Sequence, residues 1–163
     1  MALQDKFYVN QAAFMVGQLA NPLEAYCIEA RVAAEELKPG WGVAFNSDGE
    51  LEVPTDANDV EYIVTFDSVN SNYPLDPAAE NQYDEVIYKE GDVVRALSTG
   101  VIALKIGGAV SVGDFLTFNS TDNDWEAYTG TDDVKAQLFA LDSGVEGDTI
   151  RVRHYGLKYV QST

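Results

Sequence analysis

Residues 45–60 read FNSDGELEVPTDANDV, and residues 118–134 read FNSTDNDWEAYTGTDDV. One short chain carries nearly the same phrase twice, at an offset of 73 from Phe45 to Phe118. The same offset places Gly40 on Gly113. One extra residue in the second turn then aligns Glu52 with Glu126 and Thr55 with Thr129, and carries Asp59-Val60 onto Asp133-Val134. A further slip of one matches Asp67-Ser68 with Asp142-Ser143, and EGDVVRA (90–96) echoes EGDTIRV (146–152). Matches in this order, with small gaps, are the signature of an internal repeat.

Each copy reads as β structure. GWGVAF and GDFLTF are short strands led by glycine, and polar turns follow them, rich in residues that tolerate left-handed backbone or cap themselves. VEYIVTF and VKAQLFAL continue the pattern. EGDVVRAL and EGDTIRVRHY each pair a turn with an alternating strand, and STGVIAL is expected to add a further turn and strand. In the closing segment Ile150, Val152 and His154 share one face, with Arg151, Arg153 and Tyr155 on the other. Strands are predicted near 41–46, 60–66, 92–97, 101–105, 115–119, 136–141 and 149–155. DPAAENQYDEVIY (76–88) could start a helix, with Asp76 as its cap and Pro77 in its first turn. The expected fold is all-β: a compact β-sandwich or barrel-like body built from two related β-units, with an N-terminal arm.

The arm is residues 1–24, which have no counterpart in the second copy. Residues 25–163 then form one β domain of two units, 25–97 with an insert at 69–89, and 98–163. The arm is apolar enough to need a partner, through Phe7, Tyr8, Phe14, Met15 and Leu19, yet Gly17 interrupts any helical or strand period. The insert carries Tyr73 and Tyr83, and loops of its length commonly bind or order against something. These seven residues are the interface candidates.

The chain of 163 residues holds 10 Lys and Arg against 27 Asp and Glu, a net charge of −17. Such a surface repels phosphate backbones and anionic membranes, so neither nucleic acid nor a membrane is expected as a partner. No apolar run is long enough to span a bilayer, and MALQDKFYVNQ lacks the basic start and apolar stretch of a secretory signal. Synthesis in a cytoplasm is expected. A single cysteine, Cys27, excludes an internal disulfide and reads as a small buried hydrophobe.

Catalytic chemistry leaves little trace. The one histidine, His154, lies on the inward face of a strand and reads as a core or subunit-interface residue. No G-x-S-x-G elbow, P-loop or dinucleotide fingerprint occurs. Zinc needs three or four His or Cys ligands, and the chain owns two. The acidic turns lack calcium-loop spacing, and no carboxylate pair stands out. No catalytic residue, cofactor or metal is expected.

The succession of motifs nevertheless has a parallel. AFMVGQLANP (13–22) is followed by EARVAAEELKPGWGVAF, then by EGDVVRALSTGVIALKIGGAVSVGDFLTFN and a closing GDTIRVRHYG. This order resembles the capsid cement, or head decoration, proteins of tailed bacteriophages over residues 13 to 156. The sequence departs from that pattern at Gln137 and Phe139, which are bulkier than the small residues common there, and in its long insert. The resemblance implies a non-enzymatic β-rich protein on the outer surface of the icosahedral head, binding major capsid protein and stabilising contacts between its subunits. It also implies a homo-oligomer, with a trimer expected. A second class of function is a carbohydrate-binding or adhesin-like β module, in which Trp41, Trp125 and Tyr128 would serve as sugar-stacking platforms.

Overall fold

The computed structural model of the chain describes residues 16–28, 30–66, 87–129 and 138–156. The strands are β1 (Tyr26–Cys27), β2 (Arg31–Val32), β3 (Gly42–Phe45), β4 (Leu51–Glu52), β5 (Tyr62–Val64), β6 (Val93–Val94), β7 (Ala96–Lys105), β8 (Phe115–Asn119), β9 (Asp124–Ala127), β10 (Leu138–Ala140) and β11 (Thr149–His154). Two 3-10 turns, Pro22–Glu24 and Ala57–Asp59, complete the regular structure. The all-β expectation holds.

The repeated phrase is architectural. Asn46 and Asn119 each sit at the tip of a hairpin and turn the chain with their side chains. Asn46 Oδ1 accepts from the amides of Asp48 (3.0 Å) and Glu50 (2.9 Å), and Asn119 Oδ1 accepts from those of Thr121 (3.0 Å) and Asp122 (3.3 Å). These are Asx turns, and each also takes one left-handed residue, Gly49 at φ 80° and Asn123 at φ 56°. EGD recurs for a similar reason. Gly91 and Gly147 take φ of 88° and 87°, and the aspartates that follow accept from the amides of Lys89 (2.8 Å) and Val145 (2.9 Å).

Strand pairing repeats as faithfully. The sheet runs β4-β3-β5-β7-β11-β10-β8-β9, so its two halves mirror one another in pairing order. β2 pairs with β6, and the next residue, Ala33, bridges to Leu51 of β4, closing a ring of strands in the first unit. In the second unit β7 pairs with β11, and Ile106 bridges to Trp125 of β9, closing the same ring. The long β7 belongs to both: Ala96 and Leu97 pair with β5, and residues 100–105 pair with β11. The Gly40 amide donates to the Val64 carbonyl (2.8 Å) and the Gly113 amide to that of Ala140 (2.9 Å), so Val64 corresponds to Ala140. The offset there is one larger than the turn residues suggested.

Each ring encloses a core, and every position of the first core has a counterpart in the second ring. Ala33, Leu37, Val43, Leu51, Val64, Tyr88, Val94 and Ala96 fill the first. Ile106, Val110, Leu116, Trp125, Ala140, Ile150 and Val152 occupy the matching places in the second, with Gly144 opposite Tyr88. Volume is exchanged between neighbours. Small Ala33 and Val94 make room for Tyr88, whereas Ile106 and Ile150 leave space only for Gly144, where a Cβ would stand 2.9 Å from each. Interiors are close-packed, so a repeat can drift only by such paired changes.

Three expectations change. STG is not a turn: Gly100, at φ 140°, lies inside continuous β7, where a Cβ would meet the Ala25 backbone at 2.9 Å. Cys27 is exposed rather than buried, because it sits in a two-residue strand on the outside of β7. DWEA forms β9 where only a polar turn was foreseen. The helix foreseen from Asp76 lies outside the described residues up to 86. Its last residue, Tyr88, instead exchanges backbone hydrogen bonds with Leu37, both at 2.8 Å.

Candidate interaction surface

His154 is 2% exposed and satisfied on both ring nitrogens. The Gly156 amide donates to Nδ1 (3.0 Å), which fixes the tautomer, so Nε2–H donates to the Glu61 carbonyl (3.1 Å). Burial pushes its pKa below the ordinary histidine value, against the pull of the Glu61 carbonyl. The residue is thus a neutral clamp between the chain leading into β5 and the end of β11. Among the described residues no group of three or more metal-ligating side chains assembles. Asp124 Oδ1 is buried without a partner, and the carboxylate packs where any side chain at Gly107 would collide. Burial raises the Asp124 pKa, helped by Glu126 and Asp122 and opposed by Lys105. Cys27 is exposed as a residue, but partial shielding of its thiol pushes its pKa up, with Arg95 opposing.

The aromatic platforms of the carbohydrate reading are not presented. Trp125 is 2% exposed, and its indole N–H donates to the Gly40 carbonyl (2.8 Å). Trp41 packs against both cores with the Lys38 ammonium over its ring, and Tyr128 is half-buried.

Of the interface candidates, Leu19 is half-buried against the second core, bridged to Ile102. Around it Gly17 donates to Ala103, Ala103 to Gln18 and Ala20 to Val101, all at 2.8–2.9 Å. The chain from residue 16 to 20 is therefore a strand-like lining of its own β7. Phe7, Tyr8, Phe14, Met15, Tyr73 and Tyr83 lie outside the described residues.

The structure exposes other apolar side chains that sequence inspection did not single out. Leu23 is 97% exposed on the 3-10 turn, which Asn21 caps by accepting from the Leu23 amide. Tyr26 and Tyr155 are 73% and 55% exposed. All three flank one short stretch of β7. Tyr26 pairs with Thr99, its carbonyl accepts from the Ser98 hydroxyl (2.8 Å), and a Cβ at Gly156, next to Tyr155, would run into Thr99. Glu24 and Arg153 approach across the patch at 3.9 Å. Two tyrosines and a leucine, rimmed by an exposed ion pair, have the composition of a protein-binding surface. The one available signal was alternation: Tyr155 follows His154 on the outward face of β11.

Comparison with known proteins agrees with this picture of a β body that binds by its surface. The sequence profile of the family described as structural cement protein (E217 gp24/Pam3 gp6) matches residues 3–154. A solved structure, the head fiber gp8.5 N base of bacteriophage phi29, superposes with a TM-score of 0.54. The identity is 13%, over 84% of this chain and 99% of that one, so the likeness concerns the fold alone. The comparison with curated proteins returned no match. This chain belongs to the phage structural cement proteins, virion components that decorate and stabilise the capsid by binding capsid proteins.

Proposed function

We propose that this cement protein sits on the outer surface of the head and ties neighbouring major capsid protein subunits together, acting by binding and not by catalysis. The observation that carries the reading is the Leu23–Tyr26–Tyr155 patch, which the protein leaves in water at the end of its own N-terminal arm. Burying these three side chains against a capsid subunit would contribute on the order of 5 kcal/mol before ordering costs. The net charge of −17 suits a layer facing solvent rather than packaged DNA. Phe7, Tyr8, Phe14 and Met15 of the arm, and Tyr73 and Tyr83 of the insert, are proposed as further contacts to capsid protein or to a neighbouring copy. A homo-oligomer, with a trimer as the expected form, would multiply weak patches into one firm attachment.

The test is binding of the purified protein to expanded heads that lack it. Wild type should saturate the heads. Leu23→Ser, Tyr26→Ser and Tyr155→Ser combined should weaken binding by about a hundredfold, for a loss of about 3 kcal/mol, with an unchanged melting temperature. Deletion of residues 2–15 keeps the backbone bonds of Gly17, Gln18 and Ala20 to β7 and should also cut occupancy. Undiminished binding by both variants would refute the reading, as would a wild-type protein that ignores the heads and binds a glycan array instead.

A further inference from the structure

The contact between the two units supplies a template for a contact between two copies of the chain. Within one chain, a face of the first unit closes the end of the second unit's strand ring. A Cβ at Gly42 would stand 2.9 Å from Val60 Cγ1 of its own unit and 3.1 Å from Phe118 Cγ across the contact, and Trp125 donates to the Gly40 carbonyl (2.8 Å). The receiving end, Phe118 with Leu138 and Leu104, is buried.

The repeat assigns each of these residues a counterpart. The receiving end of the first unit is Phe45, Tyr62 and Arg31, equivalent to Phe118, Leu138 and Leu104. It is open: Phe45 is 37% exposed, its ring tilted at 57° against that of Tyr62 at 5.1 Å with the Arg31 guanidinium over it at 5.9 Å. Beside it lies a cleft of about 300 Å³, lined by Ala44, Phe45, Pro54 and the carboxylates of Glu52, Asp59 and Glu61. The donor face of the second unit is Val112 and Phe115, equivalent to Pro39 and Gly42. These are 61% and 50% exposed, with Phe115 set edge-on to Phe139 at 5.8 Å. The relation is head-to-tail and not two-fold. The Trp125 indole N–H reaches the Gly40 carbonyl, whereas a Cβ at Gly113, the equivalent of Gly40, would have only the Phe139 ring within 4 Å among the described residues.

We infer that the second unit of one copy docks on the first unit of the next, with Phe115 entering the cleft beside Phe45. The sizes match. Glycine at position 42 meets a closed end, while phenylalanine at the equivalent position 115 meets an open one with room for a ring. Phe45 and Phe115 are each held at the surface where an isolated fold has no use for them, the cleft beside Phe45 being rimmed by Glu52, Asp59 and Glu61, and the contact within the chain supplies the precedent for joining them. A heterologous contact of this kind closes into a ring or runs on as a filament. It deepens the homo-oligomer part of the proposed function by naming the surfaces that would join the copies.

Thiol cross-linking tests it in a Cys27→Ser background. Phe45→Cys and Phe115→Cys proteins are prepared separately, then mixed and treated with a short bismaleimide, in solution and on cement-free heads. The expected product is a species of two-chain mass in the mixture and its loss when either protein is treated alone. Should Phe115→Cys fold poorly, Val112→Cys replaces it on the same face. Cross-linking of either variant with itself would mean a two-fold contact and overturns the inference. So does the lack of a mixed product in both settings. If sedimentation still shows an oligomer in that last case, the homo-oligomer reading stands while this choice of surfaces falls.

Discussion

Gly144→Ala is a one-carbon change whose effect the internal repeat makes calculable. The new methyl would stand 2.9 Å from Ile106 Cδ1, 2.9 Å from Ile150 Cγ2 and 3.2 Å from Asp148 Cβ. The backbone there is compatible with alanine, so the strain is steric and not conformational. Overpacking of this kind costs about 1–3 kcal/mol, offset in part by the smaller backbone entropy lost by alanine, about 0.5 kcal/mol. For a chain of this size each kcal/mol lowers Tm by about 2–4 °C. The decisive variant adds Ile106→Val, which removes the Cδ1 atom that collides. Alone, Ile106→Val costs about 1 kcal/mol for the cavity. Together the two changes should cost less than their sum by about 1 kcal/mol, since the new methyl fills what the lost one vacates. Urea unfolding of wild type, both single variants and the double variant measures the cycle. Strict additivity, or a Gly144→Ala protein as stable as wild type, would refute the volume exchange between Tyr88 and Gly144.

Other outcomes follow from the polar contacts. Tyr88→Phe removes a hydroxyl that donates to the Thr65 carbonyl (3.1 Å) at a buried site and should cost about 1 kcal/mol by urea unfolding. Asp142 and Asp124 should respond oppositely to amidation. The Arg151 guanidinium holds the Asp142 carboxyl below its usual range through bonds of 2.7 and 2.8 Å, so Asp142→Asn should lose up to about 1 kcal/mol near neutrality and nothing once the pH falls below the folded pKa. Asp124, raised by burial and by Glu126, loses stability as pH rises through its folded pKa, so Asp124→Asn should raise Tm near neutrality and not in acid. His154 is depressed, so below the ordinary value of 6.5 the unfolded chain takes up a proton that the folded one refuses. Stability should therefore fall as pH drops below 6.5, by about 1.4 kcal/mol per unit at most. A flat profile across that window in urea titrations would contradict the buried neutral imidazole.

Much of the fold was legible because the signals were local. FNS and EGD mark turns by the side chains that hold them, and the alternation of Ile150, Val152 and His154 is the burial pattern of β11. What escaped reading depended on partners distant in sequence. β9 hides behind acidic Asp124 and Glu126, and only Trp125, inserted across 85 positions to Gly40, commits it to the core. Gly100 reads as a turn in isolation but serves a close approach by Ala25 inside a strand. Cys27, between Tyr26 and Ile28, looks internal until the pairing of β1 with the outside of β7 turns it to solvent. The candidate surface was harder still. Leu23 and Tyr26 lie far from Tyr155 in sequence, and only Thr99 and its neighbours in β7 bring them together.

The ten-residue β7 has a mechanical consequence. A pull that separates the two units cannot simply part an interface, because the same covalent strand runs through both. Tension along it passes into the ladder with β11, which spans Thr149 opposite Lys105 to His154 opposite Gly100. Load directed along those strands acts on the whole row of hydrogen bonds in parallel and not on one bond at a time. The rate at which such a row lets go is set by a single concerted barrier, so the endurance of the fold under sustained stress is governed by its unfolding rate more than by its equilibrium stability.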